Sequence, residues 1–332
     1  MEPATDVQQD TSRTQVAILL ATYNGARFVA EQIRSLSQNA VPFTLHWVDD
    51  HSTDNTVELV RNVASEQNIS VQEWHHSERL GVPGTFFHLL DRVNSDIYLF
   101  CDQDDLWQPG KIDATVQNLL PDLALPVLCF TDPIVFKSEK PEERYRMLDI
   151  LGTTAEVAIE DSRAFMTVVG YGHTEGFTRP LRDLYRKHHD VAKSHAFMHD
   201  MWMYDIAVAT GGIRILKDAP TTLYRWHEHN SSGDYGGWRG HGRGYFSITW
   251  KQHQTLRRAV ARHARGFVRA ASTIPPSSKL DRLLAIADLV SVLDRRQSPA
   301  TLLKLLRRRT FWPTFRLSSR LAAACLCSDA TA

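Results

Sequence analysis

Cysteine is scarce in this 332-residue chain, and its placement excludes more than its number. No pair among Cys101, Cys129, Cys325 and Cys327 has the spacing of a zinc site. Cys101 and Cys129 lie inside apolar runs, where a reduced, buried thiol is expected. That points to a cytoplasmic setting rather than a disulfide framework. Long apolar runs are missing too, and no window reaches the ~18 residues that a bilayer-spanning helix needs. Residues 1–14 are polar, without the apolar core of a signal segment, and read as a short disordered leader. Neither Gly-x-Gly-x-x-Gly nor Gly-x-x-x-x-Gly-Lys follows the first strand-like run, so neither a Rossmann dinucleotide site nor a P-loop is indicated.

What is present is uneven in charge. The formal net charge is zero, yet Arg239 to Arg320 holds 18 Lys and Arg against 3 acids, leaving 20 basic and 35 acidic residues elsewhere. An acidic body therefore carries a basic C-terminal arm. In that arm Leu256, Val260 and Phe267 lie among arginines, Pro275-Pro276 divides the pattern, and Leu283 to Leu293 gives a second amphipathic helix. Leu302 to Leu306 with Arg307-Arg308-Arg309, Phe311 and Trp312 has an interfacial character. An anionic membrane surface is the partner this arm suits, with a homo-oligomeric helical bundle as the alternative; nucleic acid is not expected.

The body alternates strand and helix. Val16 to Ala21 is a continuous apolar run ending in the turn Thr22-Tyr23-Asn24-Gly25, and Phe28, Ile33 and Leu36 follow at helical spacing. Phe43 to Val48 is a second strand, ending in Asp49-Asp50, and Ile69 to Trp74 a third. After Arg79 and a helix through Phe87, Leu90 and Val93 comes Ile97 to Cys101, which drops into Asp102-Gln103-Asp104-Asp105. Four alternations predict a doubly wound α/β sheet, in which ligands bind beyond the carboxyl ends of the strands. Carboxylates crowded there repel one another unless a cation lies between them, and oxygen ligands suit Mg²⁺ or Mn²⁺. A nucleotide could lie over the strand ends, with Tyr23 stacking on the base, a carboxylate accepting from a ring N–H, and the diphosphate held through metal.

Ala21-Thr22-Tyr23-Asn24-Gly25, Asp49 to Thr56 and Cys101 to Trp107 resemble, in order and spacing, the three signature segments of glycosyltransferase family 2, above all its bacterial rhamnosyltransferase-like members. The resemblance continues through His199-Asp200-Met201-Trp202 and Leu223 to Asn230. It departs at His51, where the family usually has Gly, and follows Val168 to His173 only loosely.

The resemblance implies a GT-A fold: a doubly wound, mainly parallel sheet flanked by helices. The GT-A domain would span 15–232, with a nucleotide-binding half at 15–107 and an acceptor half at 108–232. A Gly-rich mobile loop (233–246) and a basic helical region (247–332) would follow. The implied activity is metal-dependent, inverting transfer of a sugar from a nucleotide diphosphate sugar to a hydroxyl of a glycan or lipid-linked glycan. The donor expected is dTDP-rhamnose, with a UDP-sugar (glucosyl, galactosyl or N-acetylhexosaminyl) as the alternative inside the family. Outside it stand a nucleotidyltransferase and a non-catalytic binding module.

By residue-by-residue matching, Thr22, Tyr23, Asn24, Asp50, Arg79, Asp102 and Arg225 contact the nucleotide or donor. Asp104 is the first choice for metal, joined by Asp102 and His227, and Asp105 shares either role. Asp200 is the base, with His199 orienting it or satisfying a backbone group. Arg225 would clamp the diphosphate, and Trp226 and Trp238 would wall the sugar or simply pack. The cofactor is Mn²⁺ or Mg²⁺. The place implied is the cytoplasm, peripheral on the inner membrane where the arm meets lipid.

Overall fold

The computed structural model describes residues 13–151, 153–158, 170–227 and 250–291. The sequence alternation becomes β1 (Val16–Thr22), α1 (Val29–Leu36), β2 (Thr44–Asp49), α2 (Thr56–Glu66), β3 (Ser70–Trp74), α3 (Gly81–Arg92) and β4 (Ile97–Cys101). Then come β5 (Leu106–Trp107), α4 (Lys111–Leu119), β6 (Leu128–Phe130), β7 (Ile134–Lys137), β8 (Lys140–Arg146), α5 (Met147–Leu151) and α6 (Ala155–Ala158). The remaining elements are β9 (Gly176–Thr178), α7 (Arg179–Arg186), α8 (His189–His195), α9 (His199–Thr210), β10 (Ile213–Ile215), β11 (Thr222–Trp226), α10 (Trp250–Ala270) and α11 (Ser278–Val290).

A seven-stranded sheet runs β10-β6-β9-β4-β1-β2-β3. Every pairing is parallel except those of β9, which is antiparallel to both β4 and β6. The uninterrupted apolar runs of β1 and β4 are explained by burial on both faces. Ala17, Leu19, Tyr98 and Phe100 point into one core, and Val16, Ile18, Leu20, Ile97 and Leu99 into the other. Because β1 pairs with β2 on one side and β4 on the other, the chain reverses its direction of travel between β1 and β4. The crevice for a ligand opens at such a switch point. A second, four-stranded sheet, β5-β11-β7-β8, stands beside it.

The C-terminal helices are part of this body. Ala261, Ala264, Phe267 and Ala270 of α10 and Leu280, Leu283, Ile286, Ala287 and Val290 of α11 are buried in the same core as α9. Ser277 caps α11 by accepting from the Leu280 N–H at 3.0 Å, directly after Pro275-Pro276. Of the apolar positions expected in the basic arm, Phe267 and Leu283 are buried and Val260 and Leu284 partly buried in the core that α8 and α9 share. The packing has a simple cause: a fully buried large apolar side chain gains roughly 1.5–3 kcal/mol. The leader through residue 12, the Gly-rich loop with Trp238, and everything beyond 291 lie outside the described residues.

Candidate active site

Two turns at the switch point are stitched together. Asn24 has φ of 47°, a left-handed geometry that Asn tolerates. Its N–H donates to Ser52 Oγ at 2.8 Å, and its side-chain oxygen accepts from the Thr53 N–H at 2.8 Å. Thr22 Oγ1 donates to Asp49 at 2.7 Å and accepts from Trp47 Nε1 at 2.9 Å. The turn after β1 is joined to the acidic turn after β4 as well. The Tyr23 N–H donates to Gln103 Oε1 at 2.9 Å, and Gln103 Nε2 returns a bond to the Tyr23 carbonyl at 3.1 Å. A Cβ on Gly25 would overlap the Gln103 side chain, so glycine is what lets the turns close.

Tyr23 carries the Arg79 guanidinium over its ring at 3.6 Å. Asp50 is buried and accepts from the Leu80 and Gly81 N–H groups at 2.8 and 2.9 Å, one per carboxylate oxygen. Arg79 Nε and His76 Nε2 stand 3.6 and 3.3 Å from the same carboxylate. Asp50 thus ties the start of α3 to the end of β2.

In the acidic turn, Asp104 Oδ2 lies 3.0 Å from His227 Nε2. Asp105 is fully buried: Oδ1 accepts from the Arg225 N–H at 3.0 Å, while Oδ2 has no hydrogen bond among the described residues and faces His173 Nδ1 at 3.4 Å. Burial first, then the Asp104 and Asp102 charges, push the Asp105 carboxyl well above the usual range. Asp102 is pushed the same way by loss of solvent, Asp104 and Asp200. Burial holds His173 neutral down to about 3, and neither of its ring nitrogens has a hydrogen bond among the described residues. Its ring is stacked on Tyr224, 3° from parallel.

The donor chemistry fits a hard divalent cation. Asp102, Asp105 and His173 offer ligand atoms within 4.8 Å of one another, two of these side chains being buried with unused lone pairs. The expected set of Asp102, Asp104 and His227 shares Asp102 with it. His173 is the donor that sequence reading missed: it closes the Val168 to His173 segment, which follows the family pattern only loosely.

Arg225 braces this turn. Beyond the backbone bond to Asp105, its Nε donates to the Asp104 carbonyl at 2.9 Å and its terminal nitrogen to Glu31 on α1 at 2.6 Å. The guanidinium expected to clamp a diphosphate is thus engaged in holding the acidic turn against α1. Trp226, partly buried, packs beside Val135, Met147 and Tyr224.

Asp200 opens α9, a helix buried all round because sheet and α10–α11 cover opposite sides. Its Oδ2 accepts from the Gly172 N–H at 2.9 Å and its Oδ1 from the Met201 N–H at 2.7 Å. A Cβ on Gly172 would press on His199 and Asp200. His199 does not hydrogen-bond Asp200. It stacks on Phe86 at 3.9 Å and meets Phe100 edge-on at 4.6 Å, and burial keeps it neutral to about 4. Glu175, also missed in sequence, is fully buried beneath the same turn with neither oxygen bonded among the described residues. Burial, then Asp200 and Asp205, push it well above the usual range.

Residues 17–146 match the profile of Glycosyl transferase family 2. The dTDP-rhamnosyl transferase RfbG of Shigella flexneri is 26% identical over 222 residues, covering 64% of this chain and 73% of RfbG. The poly(ribitol-phosphate) beta-N-acetylglucosaminyltransferase TarS of Staphylococcus aureus is 29% identical over 93 residues, 27% of this chain and 16% of TarS. In fold, the chain is similar to S. aureus TarS 1–349 solved in complex with UDP-GlcNAc, with TM-score 0.55, 15% identity, and coverage of 94% of this chain and 81% of that one.

Proposed function

We propose that this chain, whose residues 17–146 match the glycosyl transferase family 2 profile, is a metal-dependent, inverting glycosyltransferase that moves rhamnose from a dTDP-linked donor to a hydroxyl of a cell-surface glycan. The observation that carries the reading is the meeting of two ends of one reaction. The turn after β4 carries Asp102 and Asp104, with His227 Nε2 3.0 Å from Asp104, and Asp200 at the start of α9, its two oxygens held by backbone N–H groups, lies near enough to raise the Asp102 carboxyl. The likeness to RfbG supports the choice of donor.

Transfer with inversion needs the leaving diphosphate on one face of the anomeric carbon and the attacking hydroxyl on the other. A divalent cation held by Asp102 with Asp104 and His227, or with Asp105 and His173, would neutralise the charge growing on the diphosphate. Tyr23 and Arg79 offer the face against which the base lies, while Thr22, Asn24 and Gln103 hold that turn at a fixed distance from the acids. Asp200 accepts the proton of the acceptor hydroxyl as its oxygen bonds to the anomeric carbon. The Gly172 and Met201 N–H groups hold the carboxylate in its orientation while it does so. Arg225 and Glu31 keep the metal turn in register with α1.

The test is transfer and donor hydrolysis across dTDP-rhamnose, UDP-glucose, UDP-N-acetylglucosamine and GDP-mannose with Mn²⁺ or Mg²⁺. Turnover of dTDP-rhamnose above the rest is expected, and preference for a UDP-sugar would keep the reaction class but replace the sugar. Asp200→Asn should lower kcat by about 10²–10⁴ and leave nucleotide affinity unchanged. Full transfer by both Asp200→Asn and Asp104→Asn would favour a non-catalytic binding module.

A further inference from the structure

The outer face of α10 is a line of arginines. The 21 residues of this helix include five arginines and one lysine and no acidic residue. Arg258, Arg262, Arg265 and Arg269 follow at spacings of four, three and four, so they fall within about 60° of arc on one side of the helix. Ala264, Phe267 and Ala270, on the opposite side, are buried in the core. The ridge runs about 16 Å along the helix. Arg258, Arg262 and Arg269 are exposed, and Arg265 is half-buried.

No carboxylate neutralises the exposed part of this ridge. Among the described residues Arg258, Arg262 and Arg269 form no ion pair with an acid. Arg269 instead donates to His195 Nε2 on α8 at 2.8 Å, and Arg265 to the Ser291 carbonyl at 2.7 Å. Burial above all, with the charges of Arg269, Arg262 and Arg265, lowers His195, so the ridge meets a neutral ring there. Like charges three and four residues apart on a helix repel one another, and an anionic surface relieves that repulsion.

Val268 stands beside the ridge and is 37% exposed, one of few large apolar side chains left in water. An apolar side chain among guanidinium groups suits the boundary between lipid headgroups and acyl chains better than a nucleic-acid backbone. No helix among the described residues is long and apolar enough to cross a bilayer, so the contact this face allows is with a surface. The ridge is also tied to the proposed base. Arg269 holds His195, the Phe197 N–H donates to His263 Nδ1 of α10 at 3.0 Å, and Asp200 follows three residues on.

We propose that the arginine face of α10 docks on an anionic lipid bilayer and so brings Asp200 to an acceptor held in that bilayer. The role of Asp200 rests on the glycosyltransferase reading above, whereas the docking itself does not depend on the donor. The experiment is flotation of the full chain with vesicles of phosphatidylcholine, alone or with about 30% phosphatidylglycerol, at about 0.1 M and about 0.5 M salt. The wild type should float with the anionic vesicles at low salt and be released at high salt. The triple variant Arg258→Gln, Arg262→Gln, Arg269→Gln should bind about a hundredfold more weakly, with Tm unchanged. The matching triple change to Lys, which keeps the charge, should bind within about threefold of the wild type. Should the Gln triple fold poorly, Arg262→Gln alone should bind about fivefold more weakly. Absence of wild-type binding to the anionic vesicles, or equal binding by the Gln variants, overturns the proposal. A preference for a DNA duplex over the vesicles, lost in the Gln triple, overturns it in favour of a nucleic-acid surface. Binding of dTDP with Mn²⁺ is read in parallel. Its absence in the wild type overturns the donor reading and leaves the docking surface standing.

Discussion

His227 Nε2 stands 3.0 Å from Asp104 Oδ2, although 123 positions separate them in the chain. A carboxylate and an imidazole brought together at a strand end, beside two more carboxylates, make a pair that a divalent cation can share. His227→Ala and Asp104→Asn should each weaken Mn²⁺ binding at least about tenfold, as read by the free-Mn²⁺ signal in electron paramagnetic resonance. If both variants bind Mn²⁺ like the wild type, the cation belongs with Asp102, Asp105 and His173, and His173→Ala is then the variant that loses it.

The Arg225–Glu31 contact should act on the metal turn rather than on folding. Glu31 is 56% exposed, so Glu31→Gln is expected to change stability by less than about 1 kcal/mol. Metal affinity and kcat should nevertheless fall several-fold, because the Asp104 carbonyl and the Asp105 carboxylate lean on the same guanidinium. Arg225→Lys, which cannot span both partners, should cost more than Glu31→Gln in the same assays. Equal metal affinity in all three proteins would remove the brace.

Acid should unfold the protein through its buried histidines. Burial lowers His199 to about 4, whereas the unfolded chain protonates histidine near the ordinary value of 6.5. Between those values the unfolded state binds the extra proton, so stability falls as pH falls, by up to about 1.4 kcal/mol per pH unit for this one group. His199→Phe, a ring suited to the place between Phe86 and Phe100, should flatten the dependence of Tm on pH between 6.5 and 4. Glu175 has the opposite sense. Its carboxyl is raised, so the folded state binds the extra proton and stability is lost as pH rises above the ordinary value near 4.5. Glu175→Gln should therefore raise Tm at pH 8 and leave it little changed at pH 4.5.

Removing the core contribution of α10 should destabilise the whole fold. Phe267 is fully buried against α9, meeting the Trp202 ring. Nearby, the His263 Nδ1 atom accepts from the Phe197 N–H at 3.0 Å and Nε2 donates to Asp205 at 2.8 Å. Phe267→Ala is expected to cost about 3–5 kcal/mol in urea unfolding, in one cooperative transition. A separate early transition for the C-terminal helices would instead mark them as an independent unit.

Residues 16–107 show how far local pattern reaches. Apolar runs buried on two faces, and acids at the strand ends, follow from the chain's own period and need no partner, so β1, β2, β4 and the acidic turns after them were legible in sequence. The strand order then put Tyr23 and Asp102 to Asp105 at one switch point, as an alternating pattern requires. What only tertiary structure decided concerns distant partners. Whether an oxygen of Asp50 or Asp105 is free depends on amides thirty and 120 positions away. His173 and Glu175 became notable through burial without partners, which no spacing encodes. An amphipathic stripe such as that of Val260, Phe267, Leu283 and Leu284 records that an apolar face must be covered and is silent on what covers it. In this fold α8 and α9 lie close enough to cover it.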